Sequence, residues 1–141
     1  MVFVVDASMT LAWHFEDEAT PETDAVFART LSEPVVVPGH WFAEVANGAL
    51  VGERRQRATP AQTAHLRQQL EMLEIEVDQA EDGALLAFDR ILPIARSQRL
   101  TVYDALYLEL AGRRGLPLAT LDRELAAAAR SVGIEILGAN A

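Results

Sequence analysis

The stretch Val2-Phe3-Val4-Val5-Asp6-Ala7-Ser8 decides the fold, because four apolar residues that favour β structure run straight into a carboxylate. A continuous apolar run of this kind is typical of a strand that is buried on both faces of a parallel sheet. In open α/β sheets, reactive groups collect in the crevice outside the carboxyl ends of the strands. We therefore expect other functional side chains to arrive beside Asp6.

The rest of the chain alternates short apolar strands with one or more helices. Strands are predicted at residues 2–5, 35–37, 75–77, 116–120 and 134–137, and the third alternates with glutamates, as an edge strand with one wet face does. Helices are predicted at residues 8–15, 21–33, 40–54, 60–73, 78–98 with an interruption at Pro93, 101–111 and 122–132. This order predicts a three-layer α/β/α fold around a mainly parallel sheet of about four to five strands.

Length and composition limit the class of protein. The 141 residues, 50% of them hydrophobic, are enough for one domain with a real core. No apolar run is long enough to cross a bilayer and the start lacks a signal-peptide pattern, so we expect a cytoplasmic protein with no membrane partner. With no cysteine, and with three histidines that lack the HExxH spacing, any metal must be held mainly by oxygen.

The formal net charge of -9 argues against a protein that grips nucleic acid by bulk electrostatics. It does not exclude a nuclease, because divalent ions bound by a carboxylate cluster would cancel part of that charge. All twelve basic residues are arginines, which bind phosphate well but also decorate ordinary helices.

Four carboxylates are candidates for the site at this edge of the sheet. Asp6 and Asp122 each follow a predicted strand and precede a helix, so each could simply be an N-cap. Asp104 falls in the first turn of a helix, where the helix dipole favours a negative charge in any case. Glu44 differs, because its helix is otherwise apolar on most sides and a buried carboxylate needs a cation. Asn47 lies three residues after Glu44 on the same helical face, so we expect it to support the site by hydrogen-bonding toward the same point.

The combination of these positions is more informative than any one of them. Two strand ends, a helix start and a mid-helix position converge at one edge, and like charges so close need a counter-ion. Carboxylate oxygens without sulfur select Mg²⁺ or Mn²⁺, which suits phosphodiester hydrolysis by a metal-activated water. The sequence holds no competing Ser/His/Asp or Cys/His arrangement.

Four segments in this order carry a resemblance to a known family. They are Val4-Val5-Asp6-Ala7-Ser8, Glu44 with Asn47, Val102-Tyr103-Asp104-Ala105-Leu106-Tyr107-Leu108, and Ala119-Thr120-Leu121-Asp122. Together they resemble the PIN-domain ribonucleases, specifically the VapC-type toxins of bacterial type II toxin–antitoxin pairs. The resemblance covers essentially the whole chain. It implies a single PIN domain over residues 1–141 and a Mg²⁺- or Mn²⁺-dependent endoribonuclease that acts on RNA.

The resemblance also implies roles and partners. By position, Asp6 and Asp104 would be the principal metal ligands, Glu44 and Asp122 would complete the acidic pocket, and Ser8 and Thr120 would support it. The family further implies a homodimer and inhibition by a small antitoxin whose tail lies over the active site. Four aromatic residues near the cleft are candidates for antitoxin docking, with core packing as the alternative role. They are Trp13, Phe15, Trp41 and Phe42.

Two other classes of protein also use aspartates of this kind, but the sequence lacks a residue that each of them needs. A haloacid-dehalogenase-type phosphatase needs a second aspartate two residues after the first, where this chain has Ser8. A phosphoreceiver domain needs a lysine near its aspartate pocket, and the chain has no lysine. A catalytically inactive binding module of PIN fold and a PIN-domain housekeeping nuclease without an antitoxin both stay open.

Overall fold

The computed structural model of the protein describes residues 1–79 and 85–138, where five strands alternate with seven α-helices. In chain order the elements are β1 (Phe3–Val5), α1 (Ala7–His14), α2 (Pro21–Thr30), β2 (Val35–Val37), α3 (Trp41–Arg54), α4 (Pro60–Glu71), β3 (Ile75–Val77), α5 (Leu92–Gln98), α6 (Val102–Arg114), β4 (Leu118–Ala119), α7 (Arg123–Ser131) and β5 (Ile136–Leu137). A short 3₁₀ turn, Glu16–Glu18, follows α1.

The sheet is parallel throughout, in the order β3-β2-β1-β4-β5. Helices α1 to α4 pack on one another, and α6 packs on β1, α5 and α7. The predicted three-layer α/β/α fold with a parallel sheet of four to five strands is confirmed. Strand order reverses at β1, because β2 pairs on one side of it and β4 on the other. The crevice of such a sheet opens at this switch point, outside the ends of β1 and β4.

Burial along the strands follows their apolar sequences. Every residue of β1 and β2 is buried, as expected for strands that are covered on both faces. The β3 strand is at one edge of the sheet and exposes Glu76, which confirms the predicted edge strand with a wet face. The strands β4 and β5 are two residues each, and therefore shorter than the sequence predicted.

Two threonine-proline pairs start helices as predicted. The hydroxyls of Thr20 and Thr59 accept the backbone N–H of the residue three positions on, and the side chain of that residue bonds back to the threonine N–H. This reciprocal capping box satisfies two amide groups that a helix start would otherwise leave unpaired. In each case proline occupies the first turn, where its missing N–H costs no hydrogen bond.

The predicted helix break at Pro93 lies one turn earlier in the structure. Residues 87–91 form a π-helical turn, and Pro93 falls in the first turn of α5. Because proline donates no amide hydrogen bond, the turn before it widens, while α5 itself continues undisturbed. Residues 80–84 of the predicted helix over 78–98 lie outside the described residues.

The four aromatic residues singled out above do not form one surface. Trp41 is completely buried and Phe15 is 4% exposed, so for these two the alternative of core packing is confirmed and they cannot be docking residues. The sequence alone does not show that these two side chains pack in the core. Trp13 is partly buried and donates its indole N–H to the Thr23 carbonyl at 3.1 Å. Phe42 remains 47% exposed.

No helix in the described part of the chain is both long enough and apolar enough to cross a membrane.

Candidate active site

Asp6 stands at the end of β1 and is only 3% exposed. Its Oδ1 accepts the Met9 backbone N–H at 2.9 Å and the Ser8 hydroxyl at 2.7 Å, while Thr120 donates its hydroxyl to Oδ2. Burial raises the pKa of Asp6 from 3.8 to about 6, although these three hydrogen bonds oppose the rise. The negative charge of Asp104 raises the pKa of Asp6 further. Asp6 is therefore an N-cap, as one prediction had it, and also a carboxylate under electrostatic strain.

The end of β4 is tied to the end of β1 by two hydroxyl groups. Ser8 accepts the Leu121 backbone N–H at 2.9 Å, and Thr120 accepts the Asp122 N–H at 3.0 Å. Asp122 in turn caps α7 by accepting the Leu125 N–H at 2.9 Å. The structure thus places Ser8 and Thr120, both predicted as supporting residues, between the aspartates that follow the two strands.

Asp104 lies in the first turn of α6, as predicted, and its backbone N–H is capped by the Thr101 hydroxyl at 3.1 Å. Burial raises the pKa of Asp104, and the negative charges of Asp122 and Glu44 raise it further. The hydrogen bond from Thr101 and the nearby His40 act in the opposite direction. Asp104 therefore lies near enough to Asp122, Glu44 and Asp6 for their like charges to disfavour one another.

Glu44 reaches this region from α3 and has two partners. The Tyr107 hydroxyl donates to Oε1 at 2.5 Å, and His40 Nε2 lies 2.9 Å from the same oxygen. This second contact falls outside the geometry of a regular hydrogen bond. Burial alone would raise the pKa of Glu44, but the contacts with His40 and Tyr107 outweigh it and the pKa is lowered.

Sequence reasoning missed Tyr107 and His40 as members of the site. Tyr107 is 1% exposed, and its hydroxyl donates a hydrogen bond to Glu44. Its ring and that of His40 have centroids 5.0 Å apart. Helical spacing could have indicated both residues, because Tyr107 is three positions after Asp104 and His40 is four before Glu44.

Asn47 is not brought into the site by the same spacing. Its side chain is exposed one turn beyond Glu44, and within residues 1–79 and 85–138 it makes no hydrogen bond to Glu44. A supporting role for Asn47 stays a prediction.

The donor set fits a divalent cation by its chemistry. Carboxylate and hydroxyl oxygens are the ligands that Mg²⁺ and Mn²⁺ prefer, and a cation would relieve the burial and repulsion that raise the pKa of Asp6 and Asp104. As they stand, no three acidic or histidine side chains of the described residues lie close enough together to ligate one ion. Binding would therefore require side-chain movement, for which half-buried Asp104 and Asp122 have more room than Asp6.

Replacing Tyr107 with Phe tests how Glu44 is held. We expect the free energy of unfolding to fall by about 1–3 kcal/mol at neutral pH, because a buried hydrogen bond to a charged carboxylate is lost. Since Tyr107 helps lower the pKa of Glu44, the loss should shrink as acid protonates Glu44. Urea unfolding at pH 7 and pH 4 measures both effects, with Tyr103→Phe as the control. An equal loss in a Glu44→Ala background would contradict the assignment.

The fold and the site together define an α/β domain whose candidate site carboxylates are carried by elements that meet at the switch point of a parallel sheet. The PIN domain family model matches residues 3–131, and the chain belongs to this family. PIN domains are typically nucleases that use divalent metals and act on RNA. The family assignment therefore agrees with the chemistry of the donor set.

Among solved structures, the chain is similar to the crystal structure of PAE2754 from Pyrobaculum aerophilum. The two share 27% sequence identity with a TM-score of 0.67, over 96% of this chain and 83% of the other. A search of curated proteins found no match.

Proposed function

We propose that this single PIN domain, residues 1–141, is a Mg²⁺- or Mn²⁺-dependent endoribonuclease that hydrolyses phosphodiester bonds with water. The observation that carries the proposal is that Asp6 and Asp122 are linked through Ser8 and Thr120 at the ends of β1 and β4, with Asp104 near both. This proximity is expressed in the raised pKa values of Asp6 and Asp104. Like charges placed near one another lower the stability of the fold. Binding a metal ion for catalysis would be a functional reason to keep them there.

In this proposal each side chain has a distinct task. Asp6 and Asp104 are the principal metal ligands, and Glu44 and Asp122 complete the pocket. Ser8 and Thr120 fix the Asp6 carboxylate by hydrogen bonds to its two oxygens. Tyr107 holds Glu44 on the side of α3 that faces α6. A divalent ion held by these residues would supply Lewis acidity for the attacking water and the leaving oxygen.

The first test is cleavage of single-stranded RNA. Cleavage should require Mg²⁺ or Mn²⁺, stop in excess EDTA, and leave 5′-phosphate and 3′-hydroxyl ends, because water rather than the 2′-hydroxyl attacks phosphorus. Gel analysis and end-group mapping measure this. Cleavage in EDTA, or 2′,3′-cyclic phosphate ends, would contradict the mechanism. If purified protein binds RNA but never cuts it, the chain is a catalytically inactive binding module.

The resemblance to VapC-type toxins extends the proposal to the role of the protein in the cell. The protein would act as the toxin of a type II toxin–antitoxin pair, in the cytoplasm, as a homodimer, and a small antitoxin would restrain it. A groove between α3 and α4 supports a protein partner. It encloses about 250 Å³, is almost wholly apolar, and has the exposed ring of Phe42 in its wall.

An antitoxin segment would lay apolar side chains in this groove and extend an arginine or lysine to the carboxylates. We expect Phe42→Ala to weaken antitoxin binding at least tenfold, since an exposed aromatic anchor is worth more than about 1.4 kcal/mol at an interface. Titration calorimetry with the protein encoded beside this gene measures the change. Leu31→Ala, which removes another exposed apolar side chain, is the control.

Trp41 is unsuitable for this test, because Trp41→Ala would open a core cavity and confuse folding with binding. Unchanged affinity in folded Phe42→Ala would exclude the groove. The lack of any inhibitory partner would favour a housekeeping nuclease.

A further inference from the structure

The arginines of this chain differ in whether they have an acidic partner. Several are held in ion pairs with neighbouring carboxylates, which leaves little capacity for phosphate. These pairs are Arg29–Glu33, Arg57 with Asp17 and Glu18, Arg67–Glu71, Arg90–Glu109, Arg113 with Asp78 and Glu109, and Arg114–Glu76. In a protein of net charge -9, the arginines without such a partner matter most for RNA.

Two exposed arginines without an acidic partner among the described residues stand at the same end of the fold as the carboxylates. Arg99 follows α5 in a left-handed conformation, with φ of 57°, two residues before the cap of α6. Arg123 is the first residue of α7, directly after Asp122. Arg99 and Glu124, the residue after Arg123, line one shallow cavity of about 420 Å³. Arg123 is therefore adjacent in sequence to one of the site carboxylates, and Arg99 lies beside α7, close in sequence to the start of α6.

Between them in sequence stands an exposed tyrosine that packing does not explain. Tyr103 is 60% exposed although its neighbours in the first turn of α6 are partly buried. It directly precedes Asp104, and its ring lies 5.7 Å from that of His40 at an interplanar angle of 41°. His40 is itself in contact with Glu44. An exposed aromatic ring therefore lies next to Asp104 in sequence and in contact with the His40 ring.

We propose that Tyr103 is a stacking platform for an unpaired base of single-stranded RNA beside the bond to be cut, with Arg99 and Arg123 binding the flanking phosphates. The proposal rests on the proposed function, because it names how the same site holds its substrate. Stacking suits an acidic protein, since a ring face attracts a base without requiring a basic surface. Stacking also favours single strands over duplexes, because an unpaired base is free to unstack from its neighbours.

Binding of RNA in excess EDTA tests the platform without depending on cleavage. The probe is a fluorescein-labelled, random-sequence single strand of about ten nucleotides, long enough for one site, and its anisotropy reports binding. Tyr103→Ala should weaken binding about five- to hundredfold, as for a lost base stack, while Tyr103→Phe should stay within about twofold of wild type. Phe88→Ala, which removes an exposed aromatic ring from the π-helical turn before α5, should leave binding unchanged.

The arginines are tested by the salt dependence of the same binding. Arg99→Gln and Arg123→Gln should each reduce the slope of log K against log salt by about 0.7, the value for one phosphate contact on a single strand. Arg130→Gln is the matched control, because Arg130 is also exposed but lies in the last turn of α7. An unchanged slope in both variants would remove the arginines from the proposal.

Three results would overturn the platform. The first is that Tyr103→Ala binds the single strand as tightly as wild type. The second is that Tyr103→Ala weakens binding of a duplex of the same length by the same factor. The third is that Tyr103→Ala sediments as a smaller species than wild type, which would show that Tyr103 contacts a second protein copy. Failure of the proposed function has a different signature. Wild type that binds the probe through Tyr103 but leaves it intact in Mn²⁺ would retain the platform and lose the nuclease.

Discussion

Asp104→Asn should abolish RNA cleavage and yet leave the metal-free protein at least as stable as wild type. Asp104 is half-buried beside Asp122 and Glu44, and its pKa is raised, so its ionised form destabilises the fold at neutral pH. Removing the charge relieves that repulsion. The same change should remove most of the stabilisation gained on adding Mn²⁺, because a ligand that binds the folded state raises stability by mass action.

Thermal melting of wild type and Asp104→Asn, each in EDTA and in millimolar Mn²⁺, separates this role from that of a helix-start aspartate. Asp24→Asn is the matched control, because Asp24 is an exposed aspartate in the first turn of α2. It should lose at most about 1 kcal/mol and keep the full increment with metal. If Asp104→Asn behaves like Asp24→Asn, Asp104 serves the helix and not a metal.

The second large effect is a pH dependence that comes from Asp6. Because the folded-state pKa of Asp6 is raised, the stability it contributes is complete below the unfolded value of 3.8 and is lost as pH rises through about 6. The shift corresponds to about 3 kcal/mol lost between pH 3.5 and pH 7 in the metal-free protein. Divalent metal should restore stability at pH 7, and its affinity should fall about tenfold per pH unit below pH 6 as protons compete.

Other groups titrate in the same pH range, so the contribution of Asp6 must be measured as the difference in stability between wild type and a variant that lacks the Asp6 carboxylate. Glu44 has a lowered pKa and acts with the opposite sign. Urea unfolding of wild type and Asp6→Asn across pH 3.5–7.5 in EDTA cancels these shared contributions. The stability of wild type relative to the variant should decline with pH. A difference that stays flat would show that the environment of Asp6 does not disfavour its charged form.

The sequence revealed the parts of this protein that depend on local patterns. The apolar run before Asp6 predicts a buried parallel strand, and the threonine-proline pairs predict two helix starts, because neither depends on distant residues. The Tyr107 to Glu44 hydrogen bond joins residues 63 positions apart in sequence. It depends on how α3 and α6 lie against each other, and no local pattern encodes that distance.

Burial of aromatic residues was equally hard to predict from sequence. Trp41 and Phe42 are adjacent and similar in chemistry, but one is completely buried and the other nearly half exposed. Helical geometry puts neighbours about 100° apart, so which of them faces the core depends on the rotation of α3 against the sheet. The π-helical turn was missed for a related reason, because proline marks a disturbance without fixing which turn absorbs it.

The hydrogen bond from the Thr120 hydroxyl to Asp6, which joins the ends of β4 and β1, limits when the site can form during synthesis of the chain. Thr120 bonds Asp6 across 114 positions, and β1 pairs with β4 through Val4–Leu118 and Val5–Ala119. Until the last fifth of the chain has emerged, Asp6 lacks Thr120 and Asp122 is absent from the pocket. Contacts of such sequence separation form late in folding. A nascent chain therefore cannot complete this site until β4 and the start of α7 have been synthesised and have paired with β1.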